Sequence, residues 1–204
     1  GEGGEFEATL ISASKKAASI SVNNFVDTSK ESPLVTELAI GVSKGDRMDW
    51  VVQKATELGV NVISPLITER SEVKLNEERW QKKVAHWHEV AISACEQCGR
   101  NKIPLISKPV ALNDYLPKCD TVTKLVLHPE INPSQAINLK NIAKSETVKQ
   151  VIVLVGPEGG FSETEVESAL QQEFKLWHLG KRVLRTETAP VVALSILQSL
   201  FGDL

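Results

Sequence analysis

The feature that most constrains this chain is one stretch. Val-Ile-Val-Leu-Val at positions 151–155 runs straight into Gly156-Pro157-Glu158-Gly159-Gly160 and then into Ser162-x-x-Glu165. An unbroken apolar run suits a strand buried on both faces, as parallel strands are. The Ser162/Glu165 spacing predicts a capping box that fixes the start of a helix. Strand, glycine turn and helix together make a unit of an open α/β sheet, whose ligands sit beyond the carboxyl ends of the strands. Glycines there permit positive φ and close approach of backbone to ligand. The turn is neither G-x-G-x-x-G nor a Walker sequence and has no lysine for a phosphate, which argues against a dinucleotide or ATP loop.

The same alternation recurs along the chain. Residues 34–42 read as a strand. Residues 46–58 read as a helix with Met48, Val51, Val52, Ala55 and Leu58 on one face, ended by Gly59, and residues 60–67 as a strand. Residues 76–99 predict a long helix whose apolar stripe is Trp80, Val84, Trp87, Ala91, Ala94 and Cys98. Strands follow at 103–107 and 124–127, a modest helix at 133–144, a helix at 162–172, a strand at 174–179 and an apolar helix at 188–201. Such alternation predicts a parallel α/β sheet with helices on both faces. Before it, residues 5–12 and 17–22 predict a hairpin, and the polar, turn-prone segment 27–33 marks a boundary. Two units result: residues 1–32, and the α/β domain 33–204. The chain starts without Met, and GEGGEFEATL is read as the tail of something larger.

Bulk properties narrow the function. With 204 residues, 42% apolar and 24% charged, the chain has ordinary globular composition. No apolar run approaches the roughly 20 residues of a membrane span. Three cysteines give no disulfide framework and fit a cytoplasmic protein. A net charge of -3 argues against nonspecific nucleic-acid coating, yet leaves room for a local basic site.

Further polar clusters stand at strand ends. His178 to Leu194 reads HLGKRVLRTETAPVVAL, with Lys181, Arg182 and Arg185 between a strand and the apolar helix. Thr186 or Thr188 is expected to cap that helix, a role that does not account for the arginines. An arginine so placed suits an anion or a base edge. Leu127-His128-Pro129-Glu130 ends another strand. Lys44, Asp46 and Arg47 follow the first strand of the domain, and Arg70 and Ser71 the second. Cys95-Glu96-Gln97-Cys98 lies within a helix and has no second C-x-x-C, so core packing is the favoured role and no metal is expected.

Together GVSKGDRMDWVVQKATELGV, ITERS, CEQCGRNKIP, LHPE, GPEGGFSETEVE and LGKRVLRTETA resemble the RsmE family. This family belongs to the SPOUT class of knotted methyltransferases, and the likeness spans residues 33–201. It implies a mostly parallel sheet with a C-terminal trefoil knot, preceded by a PUA-like β-barrel of which residues 1–32 would be a remnant. It implies methylation of uridine N3 in 16S rRNA of the small ribosomal subunit, with S-adenosyl-L-methionine as cofactor. It also implies a homodimer, for which the helix 190–201 offers a surface.

On this resemblance the cofactor would lie against Leu127, His128, Pro129, Gly156, Pro157, Glu158, Gly159, Gly160, Leu179, Gly180, Val183, Leu184, Arg185, Thr188 and Ala189. Arg185 is the first choice for stabilising an anion, Arg182 the second, and Glu158 a choice for taking the N3 proton. Lys44, Arg47, Arg70, Arg100 and Lys181 are choices for rRNA contact. No metal and no membrane partner is expected. The competing readings are a nucleotide-binding oxidoreductase or NTPase, and an rRNA-binding or assembly module of the same fold without catalysis.

Overall fold

The computed structural model describes residues 3–73, 75–120, 123–129, 136–145 and 148–204. An antiparallel hairpin of β1 (Glu5–Ala13) and β2 (Ala18–Val26) stands apart as its own sheet. It is longer than its alternating residues suggested, and every one of its strand residues is exposed. The remainder is a seven-stranded sheet built from β3 (Val35–Gly41), β4 (Val62–Ile67), β5 (Leu105–Ile106), β6 (Val110–Ala111), β7 (Thr123–Leu127), β8 (Gln150–Val155) and β9 (Lys175–Trp177). The order is β5-β4-β3-β8-β7-β9, with β6 also paired to β4, and the pairs within this sheet are parallel.

The unbroken apolar run at 151–155 lies in the middle of the sheet, between β3 and β7. Its residues divide by the two-residue period of a strand. Val151, Val153 and Val155 join one core with α1 (Arg47–Glu57), α2 (Glu77–Cys98) and α6 (Thr188–Phe201). Ile152 and Leu154 join a second core with α3 (Leu112–Tyr115) and α5 (Glu163–Gln171). Both faces are therefore covered, as continuous apolar strands require. A seven-residue helix, α4 (Leu139–Ser145), lies between β7 and β8 along the chain. The anticipated start of this helix at 133–135 falls outside the described residues, as does Glu130.

Local signals explain most boundaries. Asn76 accepts from the Arg79 N–H and opens α2, and Gly99 closes it in left-handed backbone at φ 77. Ser162 and Glu165 form the complete capping box of α5. The buried side of α2 is Trp80, Trp87, Ala91, Ala94 and Cys95, so Cys95 rather than Cys98 faces the core. No described helix is long and apolar enough to cross a membrane.

Candidate active site

A parallel sheet delivers all its strand ends to one rim, and here the loops after β7, β8 and β9 meet there around a cleft of about 720 Å³. Its walls include Leu127, His128 and Pro129 after β7, the whole turn Gly156 to Gly160 after β8, and Leu179, Gly180, Val183, Leu184, Arg185 and Ala189 after β9. Arg182 also lines it, as do Arg47 and Arg70 from the loops after β3 and β4. Thr188 is not among the lining residues; its N–H is turned to the Arg185 carbonyl oxygen. Sequence reasoning passed over Val155, Phe161, Trp177, His178, Thr186 and Glu187 on these walls. All but Trp177, which is two positions from Leu179, directly adjoin a candidate residue, and that adjacency is the signal that could have found them.

The 156–160 turn is shaped by its glycines. Gly160 holds φ +68, and its N–H donates to the Pro157 carbonyl oxygen at 2.8 Å. A side chain at Gly156 would meet the Gly160 backbone at 3.1 Å, so the turn closes tightly only without one. At Gly160, and at Gly180 with φ +114, nothing lies within 4 Å of where a Cβ would stand. The space beside both residues is thus free of protein atoms among the described residues.

As a candidate proton acceptor Glu158 is poorly served by its surroundings. Its Oε1 accepts from Arg47 Nη1 at 2.5 Å and from the Lys44 N–H at 3.1 Å. Burial pushes the carboxyl up, but hydrogen bonds from its own backbone, the Arg47 guanidinium and Lys44 N–H outweigh this and hold it below the usual carboxylate range. A carboxylate made more acidic and already hydrogen-bonded is a poor base at neutral pH.

Arg100 is corrected more firmly. Its side chain is only 5% exposed. Its Nε and Nη2 donate to Glu31, and Nη1 donates to the carbonyl oxygens of Thr56 and Val60 at 2.8 and 3.0 Å. With these partners inside the protein, it is not placed to meet an RNA phosphate. Lys44 is exposed but pairs with Glu72. Arg70 donates to the Gly159 carbonyl oxygen at 2.9 Å. Lys181, Arg182 and Arg185 are exposed and enter no ion pair among the described residues. The expected threonine cap of α6 is absent: Glu187 holds the N-cap position without a side-chain bond, and the Arg185 carbonyl oxygen accepts from Thr188 and Ala189. Thr186 instead donates its hydroxyl to the Gly156 carbonyl oxygen.

The sequence profile of the RNA methyltransferase domain family matches residues 30–198. The ribosomal RNA small subunit methyltransferase E of Bacillus subtilis is 35% identical over 199 residues, covering 96% of this chain and 78% of the relative. That of Buchnera aphidicola from Schizaphis graminum is 40% identical over 178 residues, covering 85% and 69%. The chain belongs to the ribosomal RNA small subunit methyltransferase E family. Solved structures agree with this membership. The methyltransferase E of Neisseria gonorrhoeae, bound to S-adenosyl methionine, superposes with a TM-score of 0.88 at 38% identity, covering all of this chain and 81% of that one. A Legionella pneumophila protein in complex with the cofactor SAM gives 0.90 at 41% identity, covering all of this chain and 82% of that one. The methyltransferase E fold thus accounts for the mostly parallel sheet and for the rim on which the cleft lies.

Proposed function

We propose that this chain transfers a methyl group from S-adenosylmethionine to N3 of a uridine in 16S rRNA of the small ribosomal subunit, in the cytoplasm. The observation that carries this reading is the convergence of three strand-end loops on one nucleoside-sized cleft whose rim carries Arg182 and Arg185. The cleft suits such a cofactor on its own chemistry. Leu127, Val155, Leu179 and Ala189 offer apolar walls for a flat base, and Gly160 and Gly180 leave space beside their backbone for its polar edge. In this reading the loops belong to a trefoil knot. Residues 1–32 form part of a PUA-like RNA-holding domain beside the catalytic domain 33–204, and α6 contributes to a homodimer.

Bound S-adenosylmethionine supplies a methyl group already activated on a sulfonium. The protein's work is then mainly alignment, which can supply roughly 7–11 kcal/mol of a barrier. The walls of the three loops, Leu127, His128 and Pro129 among them, would hold the donor. Uridine N3 carries a proton at neutral pH and becomes nucleophilic as that proton passes to solvent water, the sulfonium leaving as the neutral thioether of S-adenosylhomocysteine. Negative charge then spreads over the flanking carbonyl oxygens, and Arg185, with Arg182 beside it, is placed to stabilise it. The Arg185 backbone is anchored by the two N–H groups that open α6, so its exposed side chain projects from a fixed base. Lys181 continues this basic rim as a phosphate contact.

Labelled methyl transfer to unmodified 30S subunits, followed by mass mapping of the base, tests the reading. Arg185→Ala is expected to abolish transfer while leaving S-adenosylhomocysteine affinity within a few-fold. An assembly module without catalysis would bind 30S particles and transfer no label. Unchanged turnover in Arg185→Ala would remove that residue from the mechanism.

A further inference from the structure

We propose that Arg47 is a positioning residue that holds the cofactor cleft in its ligand-accepting shape, and not a contact for RNA. This inference rests on the reading of the cleft as the S-adenosylmethionine site. Arg47 is the first residue of α1, whose next turns are locked into the core by Met48, Val51 and Val52, each 1% exposed or less. The guanidinium therefore projects from a rigid mount. From there it reaches two of the loops that form the cleft. Its Nη1 bonds Glu158 in the turn after β8 at 2.5 Å, and its Nε stands 3.8 Å from the Glu187 carboxylate at the start of α6.

The turn has few ties of its own. Inside it, the Gly160 N–H to Pro157 oxygen bond is the cross-turn link, whereas the Glu158 carboxylate and the Gly159 carbonyl are held from outside by Arg47 and Arg70. Glycine-rich backbone is entropically costly to order, so such external ties decide how often it is ready for ligand.

The charges nearest Arg47 point the same way. The hollow beside the cleft is lined by Lys44, Asp46, Arg47, Trp50 and Glu187, and Glu158 and Glu72 pair with its two cations. Two cations thus face four carboxylates, Asp46, Glu72, Glu158 and Glu187. Within that hollow the Arg47 charge is taken up by Glu158 and Glu187, and the positive charge left for a phosphate backbone lies on the cleft side, at Arg182 and Arg185.

The test uses the full chain with Arg47→Gln, Arg47→Lys, Glu158→Gln and the double variant Arg47→Gln/Glu158→Gln. Calorimetric titration with S-adenosylhomocysteine is expected to show Kd raised on the order of tenfold in Arg47→Gln. Arg47→Lys recovers part of this, and the double variant is no worse than the worse single, because both singles break the same tie. Affinity for 30S particles stays within about twofold, and turnover returns at saturating cofactor. Additive penalties, or weakened 30S binding with unchanged cofactor affinity, overturn the proposal. Amide exchange in the free protein tests the tie without ligand. Arg47→Gln speeds exchange at 158–160 and 186–189 while α2 is unaffected, and unchanged exchange at those loops overturns the proposal. Wild-type protein that is folded but gives no heat with S-adenosylhomocysteine sinks the methyltransferase reading instead, with the exchange result still deciding the clamp.

Discussion

The Thr186 hydroxyl donates to the Gly156 carbonyl oxygen at 2.8 Å, joining the loop before α6 to the first residue of the turn after β8. The two are thirty positions apart in sequence and meet on the same wall of the cleft. Thr186→Val keeps the shape and removes the donor. It is expected to cost about 1 kcal/mol of stability, the usual net worth of one hydrogen bond, and to weaken S-adenosylhomocysteine binding several-fold. Urea denaturation and calorimetry read the two effects separately; wild-type values in both would make the bond incidental.

Gly41 ends β3 directly under the same turn. A Cβ built there would stand 2.5 Å from Pro157 Cδ and 2.7 Å from Pro157 N. Gly41→Ala is therefore expected to displace the turn and to destabilise the protein by about 1–3 kcal/mol, the typical cost of overpacking. Cofactor affinity should fall with it. A crystal structure of the variant with Pro157 unmoved would refute the expectation.

Acid should loosen the turn through Glu158. Its carboxyl is more acidic in the folded chain than in the unfolded one. Its contribution is thus complete above the ordinary carboxylate value, about 4.3, and is lost as pH falls through the lower folded value. The Tm advantage of wild type over Glu158→Gln should shrink on acidification from about pH 6 to about pH 3. A difference that stays constant across that range would show that the carboxylate is not held in this way.

Arg100→Ala leaves the Glu31 carboxylate, 11% exposed, without its partner. Breaking a buried pair from one side typically costs about 3–5 kcal/mol. Arg100→Met combined with Glu31→Leu should recover most of the loss, and 30S affinity should follow folding alone. Denaturation midpoints of the single and double variants check this, and a single variant as stable as wild type would contradict the burial.

Much of this architecture was readable from residues alone. The apolar run at 151–155 and the Ser162/Glu165 pair act through neighbours a few positions away, and the structure places each where pattern put it, while the helix expected over 76–99 runs from Glu77 to Cys98 between the caps Asn76 and Gly99. The three loops of the cleft stand out by their position after strands, two of them also by glycines, and their shared role follows from the family resemblance. Roles set by distant partners were not legible. Arg100 looks like any surface arginine until Glu31, Thr56 and Val60 close around it. Thr186 resembles a helix cap, but its hydroxyl goes to Gly156. Glu158 reads as a free acid until α1 brings Arg47 to it. The short β6 and α3 carry too few residues for any periodicity to show.

The hairpin of β1 and β2 has no core beneath it, yet both of its ends are moored to the α/β domain. The Gly3 N–H donates to the Asn101 carbonyl oxygen before β1, and after β2 the Asn101 side chain donates to the Thr28 carbonyl oxygen and Glu31 grips Arg100. Two anchorages on one short stretch, 100–101, set the angle at which this arm leaves the body. If the proposed RNA-holding role is right, a nucleic acid reaching from cleft to arm would meet an arm tethered to the body at both of its ends.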